Sequence, residues 1–246
     1  MSKKFRGQRC AYCVQRSSTT GDHVFAREFF LEHQRNDLPK VPACETCNNL
    51  KSRLEHYLVT VLPFGGQHQD AADMLQSRVP GRLARNSKLK RQLAIGIRSE
   101  QVVDATGQSL TRTTVPFDGD KLEQLFGLIV RGLIHHHWGI YLPGDYVVDA
   151  AAMREPGQVL WENLRAHQEV KHRVARDLGQ GTVRYEGIQS GRDPSFTAWQ
   201  FRLYGHAMLG GDSTLPGEVA TMIIGRSFSK SASGATSAKS SGVNTP

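Results

Sequence analysis

The chain has 246 residues, 39% of them hydrophobic, and 31 Lys and Arg against 23 Asp and Glu give it a formal charge of +8. No stretch approaches the roughly 18 uninterrupted apolar residues of a membrane span, and Met1-Ser2-Lys3-Lys4-Phe5-Arg6 lacks the apolar run that a signal peptide needs next, so a cytoplasmic protein with no membrane partner is expected. The positive balance points to a polyanionic partner, nucleic acid before an anionic membrane surface, and a reducing compartment turns cysteines toward metal rather than disulfides.

All four cysteines fall before residue 48, in a segment dense in Cys, His, Asp and Arg that runs from residue 1 to about 65. Cys10-Ala-Tyr-Cys13 and Cys44-Glu-Thr-Cys47 are two C-x2-C pairs, each able to present two thiolates from a tight turn. Together they supply the tetrahedral sulfur set that zinc favours, and four thiolates leave no position for water, so such a zinc is structural. After Cys47, Leu50, Leu54, Leu58 and Val61 recur at helical spacing until Pro63-Phe64-Gly65-Gly66 stops them.

A second region, 66–225, is expected to be an α+β accessory domain, mainly helical with a small antiparallel sheet at its end. It opens on Arg78, Arg82, Arg85, Lys88, Lys90, Arg91 and Arg98 with no acid among them, which reads equally as a solvated helix face or as a patch that tracks phosphates. Leu122, Leu125, Phe126, Ile129, Val130, Leu133 and Ile134 make a broad apolar stripe and predict a helix over 120–138. A further helix is expected over 156–178. The period then changes to two at Trp199, Phe201 and Leu203, a strand, with weaker strands at Thr182 to Ile188 and Val219 to Ile224. From 226 to 246 the Ser, Ala, Gly and Lys content predicts a disordered tail. His135-His136-His137 end the strong helix, where side chains about 100° apart cannot share one metal but suit the negative end of the helix dipole.

Between the cysteine pairs stand Gly21-Asp22-His23-Val24, and Asn48 follows the last cysteine in Cys44-Glu-Thr-Cys47-Asn48-Asn49-Leu50-Lys51. Taken singly, an Asp-His pair is commonly a surface turn and such an asparagine a helix N-cap. Taken together, over residues 8–62, they resemble the HNH endonucleases, in particular the variant braced by four structural cysteines. The segment from Cys44 to Lys51 matches that family's C-x2-C-N-x2-K ending. The resemblance implies a ββα-metal, treble-clef-like module in which a hairpin and a helix grip a catalytic divalent ion, Mg2+ or Mn2+. It assigns Asp22 and Asn48 as ligands of that ion and His23 as general base, with Cys10, Cys13, Cys44 and Cys47 on zinc. Adjacent Asp and His side chains point to opposite sides of a strand, so a bend eased by Gly21 is expected there.

Many members carry a further asparagine just before the second cysteine pair; here Asn36-Asp37-Leu38-Pro39-Lys40-Val41-Pro42 has it only at Asn36, which serves if the loop is longer. The implied function is hydrolysis of phosphodiester bonds in DNA, or in RNA, with residues 66–225 supplying substrate grip, a homodimer contact or a partner surface. The competing reading is a zinc-stabilised binding module that holds nucleic acid or protein without cutting. His33 and His56 flank the cluster and carry no assigned role.

Overall fold

Two short strands come first because the chain from Thr20 to Ala43 is held at both ends by the cysteine turns. In a computed structural model that describes residues 3–66, 68–103, 107–153, 155–205, 207 and 222–229, β1 (Thr20–His23) pairs antiparallel with β2 (Lys40–Ala43), Thr20 opposite Ala43 through His23 opposite Lys40 without a slip. The loop between them is closed by the Val24 amide on the Pro39 carbonyl at 2.8 Å. Asn36 is exposed on a turn and, among the described residues, makes no side-chain hydrogen bond; the loop is tied instead by Gln34, whose Nε2 donates to Asp70 Oδ2 at 2.9 Å.

Helix α1 (Glu45–Val61) starts directly at the second cysteine pair, with Cys44 at its N-cap. The expected stripe is right at Leu54, Leu58 and Val61 but wrong by one position at its start. Leu50 stays 39% exposed while Lys51 is completely buried. After a 3-10 turn at Leu62–Gly65 come α2 (Gln69–Ser77), α3 (Val79–Arg85) and α4 (Ser87–Gly96), the last begun by Asn86, whose side chain accepts from the Leu89 amide at 3.0 Å. A two-stranded ribbon follows, β3 (Arg98–Val103) with β4 (Ser109–Thr114).

Helix α5 (Gly119–Trp138) forms as expected and is capped at both ends. Asp118 accepts from the Lys121 amide at 3.2 Å, and Gly139 closes the C-terminus in the left-handed region, φ 68°, donating to the His135 carbonyl. Next come β5 (Tyr146–Met153), α6 (Glu155–Ala166), β6 (Val170–Leu178), β7 (Val183–Ser190), β8 (Thr197–Leu203) and β9 (Met222–Ser229). The five strands make one antiparallel sheet in the order β5-β9-β8-β7-β6.

The architecture is therefore α+β, with three departures from expectation. The helix over 156–178 stops at Ala166, and Val170 to Leu178 is the edge strand β6. Val170, Val174 and Leu178 recur every four residues, which imitates a helical stripe although the strand half-buries Val170 and Val174 and fully buries only Leu178. Strand β9 reaches Ser229, so the first four residues of the expected tail belong to the sheet; residues 230–246, and Val219 to Thr221 of the expected strand, lie outside the described residues. The ribbon β3–β4 was not foreseen, since its sequence is polar and its pattern weak.

One apolar core crosses the 65/66 boundary. Helix α5 lies between the sheet and the N-terminal unit, burying Leu125, Phe126, Ile129, Val130, Leu133 and Ile134, each contributing about 1.5–3 kcal/mol. Gly132 lets it approach closely, for a Cβ there would stand 3.1 Å from Val24 Cγ2 and 3.2 Å from Tyr12 Cε1. Phe25 stacks on Tyr185 at 5.6 Å and meets Phe201 at 6.3 Å, and Phe126 meets Phe201 edge-on at 5.0 Å. No helix among the described residues is long and apolar enough to cross a membrane.

A four-cysteine cluster and the knot beside it

Each cysteine is delivered by a turn. Cys10 and Cys13 sit on a tight knuckle closed by the Val14 amide on the Cys10 carbonyl, with Val14 at φ 64°, and the Ala11 amide donates to Pro42, anchoring the knuckle to β2. Cys44 and Cys47 occupy the N-cap and first turn of α1. The four sulfurs lie within 4.8 Å of one another, and Cys13 Sγ to Cys44 Sγ is 3.9 Å. Four thiolates around one zinc at Zn–S of about 2.3 Å stand roughly 3.8 Å apart, so the set fits such an ion with a small contraction. Its electrostatics point the same way. Burial pushes the Cys10 and Cys47 thiols up, and neighbouring sulfurs add to this, while at Cys44 burial is outweighed by the combined hydrogen bonds of Cys47, Cys10 and Cys13, which bring the thiol down to about 7. Four such groups ionise together only around a cation. The cluster is a metal site of the structural zinc type.

Arg131 on α5 adds a positive charge that acts on Cys13 and Cys47. Its guanidinium is held by the carbonyls of Leu142 at 3.0 Å and Tyr146 at 2.7 Å. Sequence reasoning gave Arg131 no role, for it lies more than eighty residues beyond the last cysteine.

Asp22 and His23 end β1, and the unbroken pairing with β2 means that the backbone does not bend there. Gly21 has a different role from the one expected: its missing side chain leaves room for the ring of Phe5, which a Cβ would strike. Asp22 faces Tyr12 and Lys51. The Tyr12 hydroxyl donates to Asp22 Oδ2 at 2.6 Å, and Lys51 Nζ lies 3.1 Å from the same oxygen. Lys51 Nζ also donates to the His23 carbonyl at 2.7 Å and to Glu55 Oε1. Its three protons are thereby all used, which is what permits a lysine with no exposed surface. Burial pushes Glu55 up to about 7 despite Lys51 beside it.

Asn48 is not the N-cap; its amide donates to Cys44 from within the first turn of α1. At about 100° per residue, Asn48, Lys51 and Glu55 fall within roughly 60° on one helix face, so Asn48 stands one turn before the ammonium that grips β1. His23 is half-buried, and burial, then the nearby Lys40, lower it to about 4, with Arg27 and Lys51 adding to the effect. It is a neutral imidazole at pH 7. The three histidines that end α5 go to three different partners: His135 stacks on Tyr141 at 4.4 Å, His136 bonds the Lys40 backbone, and His137 Nε2 lies 2.9 Å from the Tyr185 hydroxyl. Among the described residues the cysteines are the one group of three or more Cys, His, Asp or Glu gathered tightly enough for a metal.

Compared with protein-family models, with curated proteins and with solved structures, the chain matches none.

Lys51 makes a test of the knot. Lys51→Met should cost about 3–5 kcal/mol in urea unfolding, because Asp22 and Glu55, only 14% and 13% exposed, lose their shared counter-charge. Adding Glu55→Gln should restore part of that loss. Equal stability of Lys51→Met and wild type would show the buried ammonium to be dispensable.

Proposed function

We propose that this protein is a metal-dependent endonuclease of the HNH type that hydrolyses phosphodiester bonds of DNA. The observation that carries the reading is the grip of Lys51 on the end of β1. One ammonium holds the Asp22 carboxylate and the His23 carbonyl against α1, one turn beyond Asn48. The reading is supported by Asp22 and His23 being tied to the helix that carries Asn48, the helix whose first turn holds Cys44 and Cys47.

His23 is the proton acceptor: unprotonated at pH 7, it can take the proton of a water aimed at phosphorus. Lys40 and Arg27 act on it with positive charge against the negative charge of Asp22, and those two cations favour a phosphodiester in its vicinity. Asp22 and Asn48 would hold a divalent ion, Mg2+ or Mn2+, through oxygen atoms. When bound, such an ion neutralises charge on the phosphate and the departing oxygen. Zinc on Cys10, Cys13, Cys44 and Cys47 is structural, since four thiolates close its shell.

A second reading has an observation of its own. Asp22 Oδ2 already serves both Tyr12 and Lys51, as a purely structural carboxylate would. On that reading the unit is a zinc-braced module that binds nucleic acid without cutting it. The two part in one assay. Purified protein with Mg2+ or Mn2+ should nick supercoiled plasmid and stop on addition of EDTA; retention of plasmid without nicking at any concentration of either ion would leave the binding module.

A further inference from the structure

The groove between α1, α4 and the start of α5 encloses about 670 Å³, and its lining is basic. Arg53 and His56 come from α1, Lys88 and Gln92 from α4, and Asp118 and Lys121 from the cap of α5. Its single carboxylate, Asp118, is already paired with Lys121. Tyr57 lies in the groove with its ring under Lys121 Nζ at 4.8 Å and its hydroxyl accepting from the Asp118 amide at 2.8 Å. Arg53, His56 and Lys88 are exposed, and Arg53 and Lys88 have no carboxylate partner among the described residues.

The rest of the basic stretch contrasts with this. Arg82 donates to the carbonyls of Val59 at 2.7 Å and Glu28 at 3.0 Å, and Arg78 pairs with Glu32 at 2.5 Å, so both fasten α3 to the N-terminal unit. Lys88, by contrast, stands on the groove with no carboxylate partner among the described residues.

We infer that this groove is the seat of the nucleic-acid backbone, holding a DNA strand by its phosphates beside the N-terminal unit. The inference rests on the nuclease reading and adds the path by which substrate lies on the protein. His56 follows Asn48 by eight residues on the same helix, about 12 Å along its axis and about 80° round it, so a strand seated here passes round α1 from the face that carries Asn48. Arg53 and Lys88 bind phosphates; such contacts set position and register without reading bases. An acidic polypeptide lacks the regular spacing of charge that a helix axis can follow, and the observations favour the nucleic acid.

The experiment measures binding without cutting: anisotropy of a fluorescent DNA duplex in EDTA, across salt concentrations. Arg53→Gln/Lys88→Gln removes two exposed cations from the groove. Lys90→Gln/Lys171→Gln removes two exposed cations elsewhere, from the opposite side of α4 and from β6. The groove variant should lose about two units of salt slope, so that the affinity lost between about 50 and 200 mM salt shrinks about tenfold, and the control pair should leave the slope unchanged.

An equal fall in both pairs would reduce the groove to a share of net charge and overturn the proposal, as would no change in either. Displacement of the duplex by poly-glutamate at matched charge would also overturn it, giving the groove to an acidic polypeptide. Loss of the groove effect leaves wild-type nicking untouched, whereas failure of the nuclease reading leaves groove-dependent binding without nicking.

Discussion

Cys44→Ser should yield aggregated or unfolded protein rather than a folded, inactive one. The Cys44 sulfur is 3.9 Å from that of Cys13, and its residue is also the N-cap from which α1 starts. Losing it removes one quarter of a tetrahedral shell; a serine can still cap α1, so the expected loss comes from the metal that braces helix and hairpin together. Binding a structural zinc is worth about 10–16 kcal/mol in small zinc folds, comparable with the whole stability of about 5–15 kcal/mol of an ordinary domain. Metal content by mass spectrometry and unfolding by circular dichroism read the result. A soluble, metal-free Cys44→Ser protein that melts like wild type would remove the metal from the fold.

The largest effect on activity is expected at His23. Its alanine variant should keep fold, zinc and duplex binding, because the structure ties Lys51 to its backbone carbonyl and not to its ring. Nicking should fall by on the order of 10²–10⁴-fold, the usual contribution of a positioned base. Asp22→Ala should behave differently. It weakens the divalent ion, so part of its lost activity should return at higher Mn2+, and it also strips the Tyr12 hydroxyl and Lys51 of a partner, so some stability goes as well. Extra metal cannot replace a proton acceptor, and His23→Ala should not recover. Equal rescue of the two variants in a Mn2+ titration would make His23 a ligand, and full activity in both would end this mechanism.

Much of the N-terminal unit was legible because its constraints are local. Two matched C-x2-C pairs announce a metal site by spacing alone, and the structure brings those sulfurs together. The α5 stripe was equally plain, since a helix packed on two sides needs apolar residues round much of its surface. Other features depend on partners far along the chain. Lys51 enters the sequence reading only as the end of the C-x2-C-N-x2-K pattern until Tyr12, Asp22 and Glu55 are placed around it, and Gly21 reads as a hinge until Phe5 fills the space above it. The edge strand β6 was mistaken for helix because an edge buries so few side chains that its pattern is fixed by three residues, which chanced to stand four apart.

The way Phe25 rests on Tyr185 and Phe201 has a consequence for biosynthesis. The ribosome completes the last zinc ligand, Cys47, 154 residues before it reaches Phe201, a delay of roughly 8–30 s at ordinary elongation rates. The cysteine set and the Lys51 knot are complete in sequence by residue 55, whereas α5, which covers Val24, follows at Gly119–Trp138 and the aromatic floor beneath Phe25 only at Tyr185 and Phe201. The newly made N-terminus can therefore close its cysteine cluster and its Lys51 knot early, while the apolar surface around Val24 and Phe25 waits for the later chain.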